Sequence, residues 1–326
     1  MRFALTAEQQ DLRKGVRELV DRIGRPAPLE PAPALAALTG LGAWGLLAAE
    51  EHGGLGLDEN HLVPVLTELG GAAMPLPLTE TIAVAPGVLA EAELGEAAGT
   101  CCAADPSARG IVRHALTAGR LLRGGFGGTG AIHVIDLATA TREPVSGTDP
   151  AGGLCRVEGG TELGVATDPG VVRTAWSRGV LGCAAQLVGL ASRMLELTVG
   201  YVRTRNQFGV PIGSFQAVKH KLATAAIQVE FAAPVVANAA FTLSAGGENA
   251  ERDVSTAKAL ASDAASAVAA TAIQCHGAMG YTTEYDLHRY LKQTWALARE
   301  WGSAQWHRAR VAEILGLPYG GTVPAH

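Results

Sequence analysis

The residues best suited to bind a ligand form one compact segment, residues 203–216, which read RTRNQFGVPIGSFQ. Gly209 and Pro211 turn the chain between two helical stretches. A guanidinium beside such a turn, here that of Arg205, can pair with a diphosphate through its planar fork of N–H donors. Phe208 offers a flat apolar face to an adenine or flavin ring. Taken alone, however, the turn favours an ordinary helix connection with a structural arginine.

A second segment, residues 274–285, reads QCHGAMGYTTEY. Its glycines, Gly277 and Gly280, are typical of a helix end and allow a cofactor to approach the backbone closely. The alternative interpretation is a helix C-cap without any ligand.

Composition excludes several classes of protein. The chain has 326 residues and a net charge of −5, and it lacks a basic run, which argues against nucleic-acid binding. The five cysteines are odd in number and have no CxxC spacing, so reduced thiols in a cytoplasmic protein are expected. His52, His276 and His288 share no metal spacing, and we predict no metal site. No signal peptide and no membrane span are predicted.

The elements that must position these segments differ along the chain. Thr6 and Gln9 have the spacing of a capping box, which predicts a helix after Thr6. Further helices are expected at 35–47 and 60–69. Short strands are expected at 131–135 and 154–157, where the helical period fades. The last part predicts four long helices in an antiparallel bundle, around 187–201, at 215–246 with a possible break at Pro234, at 250–276 and at 287–315.

The two segments resemble signatures of the acyl-CoA dehydrogenases, which are flavin-dependent enzymes. Within the first segment, residues 205–216 are similar to Arg-x-x-Phe-Gly-x-Pro-Ile-x-x-Phe-Gln, and residues 274–285 are similar to Gln-x-x-Gly-Gly-x-Gly-Tyr-x-x-Glu-Tyr. Residues 301–305 resemble Glu-Gly-Thr-x-Gln. The resemblance implies FAD as cofactor, with the first signature reaching it across a subunit interface. The FAD contacts that it implies are Arg205, Phe208, Gln216, Gln274, Gly277, Ala278 (in place of the second glycine), Gly280, Ser303 and Gln305.

The resemblance also implies a fold that is α+β but mostly α. Three domains are expected: a helical domain at 1–98, a small β domain at 99–166 and a four-helix bundle at 167–326. The apolar faces of the bundle should pack against other subunits.

The sequence departs from the family where the catalytic base should stand. The resemblance implies a glutamate either directly before Gly302 or at the start of the helix that precedes Arg205. Those positions hold Trp301 and Gly179, and neither can take a proton. Glu300 is the remaining candidate base, but on a helix its side chain would point about 100° away from that of Trp301. The family's Thr-Glu-Pro-x-x-Gly-Ser-Asp and Trp-Ile-Thr segments are also missing from the middle of the chain.

We therefore predict a non-catalytic subunit of a heteromeric acyl-CoA dehydrogenase. A homologous partner would hold most of the FAD and the catalytic glutamate, in an α2β2 complex that resembles the paired actinobacterial steroid-CoA dehydrogenases. The expected substrate is a bulky acyl-CoA, and the expected electron acceptor is an electron-transfer flavoprotein or a similar protein. The alternatives are a self-contained homotetramer that uses Glu300 or another carboxylate, and a scaffold subunit without redox chemistry.

Overall fold

The computed structural model describes residues 4–95, 100–106, 109–125 and 130–318. Its N-terminal part is helical, with α1 (Ala7–Ile23), α2 (Pro31–Gly40), α3 (Glu59–Gly70), a π-helical segment (Thr79–Val84) and α4 (Ala85–Glu91). The capping box is confirmed, because the Thr6 hydroxyl accepts from the Gln9 N–H while the Gln9 side chain accepts from the Thr6 N–H.

The second predicted helix has different bounds from those expected. It begins at Pro31, because proline suits the first turn of a helix, where its missing N–H costs nothing. It ends at Gly40 because the chain turns through Gly42 in a left-handed conformation, at φ 71°, before a short 3-10 turn at Ala43–Gly45.

The middle of the chain forms a five-stranded sheet with strand order β1-β3-β4-β5-β2. The strands are β1 (Cys102–Asp105), β2 (Ile111–Val112), β3 (Arg120–Arg123), β4 (Ile132–Pro144) and β5 (Cys155–Ala166). β1 runs parallel to β3, and the other pairs are antiparallel. The two predicted strands belong to this sheet but are much longer than expected.

The length of the β4–β5 hairpin explains that difference. Only the first half of β4 is buried, and its outer half, from Thr139 onward, is largely exposed and polar. Because an exposed hairpin needs no apolar alternation, the sequence pattern shows only the buried ends of the strands. The three-domain division stays a prediction, and its first boundary, at 98–99, falls outside the described residues.

The C-terminal part consists of α5 (Pro169–Thr204), α6 (Gln216–Ser244), α7 (Ala250–His276), α8 (Leu287–Leu297) and α9 (Ala304–Ile314). A two-stranded hairpin, β6 (Asn206–Gln207) with β7 (Val210–Pro211), joins α5 to α6. α7 packs against α5, α6 and α9, and α5 also packs against α3. The mostly α fold that the sequence predicted is therefore confirmed.

Two predictions about helix continuity were wrong. α6 runs unbroken through Pro234, whose ring lies at an exposed position where water can satisfy the carbonyl that the missing N–H leaves free. The fourth helix, in contrast, is broken between α8 and α9. Trp301 and Gly302 both have positive φ there, 55° and 91°, and no α-helix accommodates that conformation.

Two helices in the described part of the chain, α5 and α6, are long and apolar enough to cross a membrane by length and composition alone. The most apolar stretch of α5 is 72% buried inside the protein, as expected for a core helix. That of α6 is only 28% buried, because this helix exposes Ile227, Phe231 and Phe241. The exposed face of α6 agrees with the prediction that the bundle contacts other subunits, which stays a prediction.

Candidate functional site

A cavity of about 390 Å³ lies where the π-helical segment, the strands β1 and β2, the helix α5 and the turn between α8 and α9 meet. Three tryptophans, Trp176, Trp301 and Trp306, form its aromatic wall, with ring centroids of neighbours 5.6–5.7 Å apart. The charged side chains that line it are Glu80, Arg109, Arg113, Arg299 and Glu300. The cavity therefore combines apolar and charged walls in one place.

The indole of Trp301 occupies the space beside Gly179. A Cβ atom added to Gly179 would lie 2.3 Å from Cζ3 of that ring, well inside contact distance. Gly179 on α5 and Trp301 in the α8–α9 turn, the two positions at which the family resemblance implies a base, are thus in contact with each other. The ring is nearly fully buried, and its Nε1–H donates to Oε1 of Glu80 at 2.9 Å.

Glu300 lies in the α8–α9 turn rather than on a helix. The sequence analysis assumed a helix here and therefore expected the Glu300 side chain to point away from that of Trp301, which was wrong. Trp301 has a positive φ, so the backbone is not helical at this point. Glu300 and Trp301 both line the cavity. The Glu300 carboxylate accepts from Nη1 of Arg113 at 2.9 Å. Nη2 of Arg113 donates to Asp149, so this buried guanidinium bridges two carboxylates. Burial opposes the charge of Arg113, but the Glu300 and Asp149 carboxylates raise its pKa overall.

Glu80 is a functional candidate that sequence reasoning missed. Burial, and then the nearby carboxylate of Glu300, raises the pKa of Glu80 to about 7, while the Trp301 N–H and Arg113 oppose the shift. The one signal in the sequence is that Glu80 stands alone in an uncharged stretch, as the only charged residue between Leu69 and Ala90. A carboxyl group that titrates near neutrality inside a cavity can donate or accept a proton.

The shift at Glu80 predicts a pH-dependent stability. The folded state binds its proton more tightly than the unfolded chain, in which a glutamate titrates near 4.5. Stability should therefore fall as pH rises from about 4.5 through 7, by an amount on the order of 1–3 kcal/mol. Urea unfolding across this range should show the slope in the wild type. Glu80→Gln should flatten it, since the amide oxygen still accepts from Trp301, whereas Glu158→Gln on the exposed strand β5 should retain it.

The first predicted FAD segment projects from the surface of the chain. Arg205, Phe208 and Gln216 are all exposed, and the ring of Phe208 is 92% exposed. Phe208 also has a positive φ of 55°, which places it at the tip of the β6–β7 hairpin. Among the described residues, no carboxylate lies within ion-pair distance of the Arg205 guanidinium.

The second predicted segment follows α7 and lies beside the end of α5. The Tyr201 ring stacks on His276 with centroids 4.2 Å apart, so α5, which leads into the Arg205 hairpin, contacts the start of this loop. Gln274, Gly277 and Ala278 are exposed, and a side chain at Gly277 would meet nothing within 4 Å. Gly280 is buried, and an added Cβ there would lie 3.1 Å from the Ile273 carbonyl oxygen.

The last two predicted FAD contacts, Ser303 and Gln305, lie in different surroundings. Ser303 caps α9, because its hydroxyl accepts from the Trp306 N–H at 3.2 Å, and it also lines the cavity. Gln305 is exposed on the first turn of α9. The stacking of Tyr201 on His276 thus places the helix end that leads into the first segment next to the second segment. Ser303, in contrast, lines the same cavity as Glu80.

These positions fit FAD when it approaches from outside the chain. An exposed arginine that has no carboxylate partner among the described residues suits a diphosphate, and an exposed aromatic ring at a hairpin tip suits a planar heterocycle. The open backbone at Gly277 permits the close approach that such a cofactor needs.

Comparisons with known proteins agree with this fold. The family model described as the acyl-CoA dehydrogenase C-terminal domain matches residues 170–316. The acyl-CoA dehydrogenase IpdE2 of Mycobacterium tuberculosis is 33% identical over 91% of this chain and 92% of its own length. The chain therefore belongs to the acyl-CoA dehydrogenase family, whose cofactor is FAD.

Solved structures match the fold along nearly the whole chain. The ChsE4-ChsE5 complex from Mycobacterium tuberculosis has a TM-score of 0.82 and 24% identity, covering 98% of this chain and 100% of its own. The Tcur3481-Tcur3483 steroid ACAD has a TM-score of 0.81 and 21% identity, covering 95% and 98%. The likeness in fold is close despite the low identity.

Proposed function

We propose that this chain is a subunit of a heteromeric FAD-dependent acyl-CoA dehydrogenase in which a homologous partner supplies the catalytic glutamate. The observation that carries this proposal is the contact between Trp301 and Gly179. Both positions that the family uses for its base lack a carboxylate, and the indole ring fills the space that a side chain at Gly179 would need.

The reaction requires a base for the α-proton of the thioester and an acceptor for the β-hydride. FAD, when bound, supplies the hydride acceptor. In this chain, Arg205 would pair with the diphosphate, and Phe208 at the hairpin tip and Gln216 at the start of α6 would contact the cofactor. The loop from Gln274 to Gly280, including Gly277 and Ala278, would present its backbone. Ser303 and Gln305 would approach from the α8–α9 turn and the start of α9.

The substrate and the assembly follow from the relatives. One solved neighbour is named as a steroid ACAD and another as a complex of two different chains. We propose an α2β2 complex, located in the cytoplasm, that acts on a bulky acyl-CoA in which the acyl group is the side chain of a steroid. An electron-transfer flavoprotein or a similar protein would reoxidise the flavin. The exposed apolar face of α6 supports a subunit contact of this kind.

The test is the flavin content of the chain alone and of the complex. We expect the purified single chain to be nearly colourless, since most of its predicted FAD contacts face outward and need a second chain to enclose the cofactor. Coexpression with a neighbouring dehydrogenase-like gene product should give a yellow complex with the visible absorbance of oxidised flavin.

The alternatives give different outcomes in the same experiment. A homomeric protein with stoichiometric FAD and activity would contradict the proposal and favour a self-contained enzyme that uses Glu300, which does line the cavity. A complex that stays colourless with every partner would favour a scaffold subunit without redox chemistry.

A further inference from the structure

The side chain of Lys258, on α7, is fully buried and points its ammonium group at the turn between α8 and α9. Its Nζ atom lies 3.0 Å from the Ser262 hydroxyl, 3.1 Å from the carbonyl oxygen of Leu297 and 3.1 Å from that of Gly302. The Leu297 carbonyl is at the last residue of α8, and the Gly302 carbonyl directly precedes the N-cap of α9. One side chain thus bridges the two ends of the helix break.

The number of contacts indicates that Lys258 carries a positive charge. An ammonium group has three N–H donors, and besides the Ser262 hydroxyl three carbonyl oxygens, of Leu297, Ala298 and Gly302, lie 3.1–3.4 Å from Nζ. A neutral amine has only two donors and could not serve all three carbonyls. Burial lowers the pKa of Lys258, but the carbonyls at the C-terminus of α8 form the negative end of a helix dipole, which favours a cation.

The turn that Lys258 holds is in an unfavourable backbone conformation. Trp301 is a bulky residue with φ 55°, a region that such residues adopt only when the surrounding contacts enforce it. Nε2 of His307 lies 2.7 Å from the Trp301 carbonyl oxygen and supplies one such contact from α9. Lys258 supplies the next, at Gly302, from a separate helix. These two donors therefore fix consecutive carbonyl groups of the turn.

We infer that Lys258 is a positioning residue that sets the α8–α9 turn, and through it the FAD contact made by Ser303 and Gln305. The inference rests on the proposed function, since it assumes that this subunit reaches FAD from that turn. Lys258 itself contacts neither cofactor nor substrate. Its role is to hold the backbone from which Ser303 starts α9 and from which the Trp301 indole fills the space beside Gly179.

The test is Lys258→Met in the heteromeric complex, a change that keeps much of the side-chain length and removes all three donors. We expect faster hydrogen exchange at the amides of residues 299–306 and weaker FAD binding by about tenfold or more, because small displacements of positioning contacts have large effects. Lys14→Met on α1, where the side chain is 75% exposed, is the matched control and should change neither quantity.

Two further variants keep the outcomes separate. Ser303→Ala reports directly whether the turn touches FAD. If Ser303→Ala weakens FAD binding and Lys258→Met does not, or if exchange at 299–306 is unchanged in Lys258→Met, the positioning role is wrong. If exchange rises while neither variant alters FAD binding, the proposed FAD contact at this turn fails, and the inferred link to FAD fails with it. Should Lys258→Met not yield a soluble complex, Ser262→Ala removes a single acceptor and allows the same measurements.

Discussion

Glu300→Gln is expected to leave α,β-dehydrogenation by the complex nearly unchanged, whereas removal of the catalytic glutamate of the partner should lower the rate about 10²–10⁴-fold. Glu300 lies beside Trp301 and lines the cavity, but its carboxylate is held by Arg113 at 2.9 Å. This hydrogen bond engages Oε2 of Glu300 and ties the carboxylate to a buried guanidinium that also holds Asp149. Single-turnover flavin reduction by an acyl-CoA substrate would measure both variants.

Stability must be followed in the same experiment, since Glu300→Gln weakens a partly buried ion pair. Arg113 keeps its bond to Asp149, so we expect a modest loss of stability and intact flavin content. Glu158→Gln, on an exposed strand, serves as the charge-matched control. A loss of rate of 10² or more in Glu300→Gln, with fold and flavin retained, would restore the self-contained enzyme.

Arg205→Ala is expected to remove most FAD from the complex. A charged hydrogen bond to a phosphate contributes about 1.5–3 kcal/mol, so its loss should raise the dissociation constant for FAD roughly 10- to 100-fold. Among the described residues the Arg205 guanidinium has no carboxylate in ion-pair distance, so the substitution should leave the folding stability of the single chain nearly constant. FAD titration of the apo complex, followed by flavin fluorescence, would measure the change.

A close control is available two residues away. Arg203 is also exposed at the end of α5, and it lies outside the part of the segment that resembles the family signature. Arg203→Ala should bind FAD like the wild type. Equal FAD affinity in both variants would show that Arg205 has no role in cofactor binding.

The parts of the fold that follow local rules could be predicted from the sequence. The capping box at Thr6 and the bounds of α7 depend on neighbouring residues, because side-chain caps and helical periodicity act over a few positions. The signature segments were found for the same reason, as contiguous runs.

The features that the sequence could not provide depend on distant contacts. The turn between α8 and α9 is contacted by Lys258, which is 44 positions from Gly302 along the chain. The environment of Glu80 depends on Trp301 and Glu300, which lie more than two hundred positions away. No periodicity records such contacts, so a helix was predicted where the tertiary structure imposes a turn. The roles of the nine predicted FAD contacts stay predictions.

The packing of Trp301 against Gly179 makes these two positions epistatic. A glutamate introduced at Gly179 alone would place its Cβ 2.3 Å from the indole ring, so it could be accommodated only after the tryptophan had become smaller. A glutamate introduced at Trp301 alone would leave an unfilled volume beside the glycine and would give up the hydrogen bond to Glu80. Each single substitution toward a carboxylate is therefore expected to lower folding stability. Under the proposed division of labour, this coupling would make it harder for the subunit to become independent of its partner.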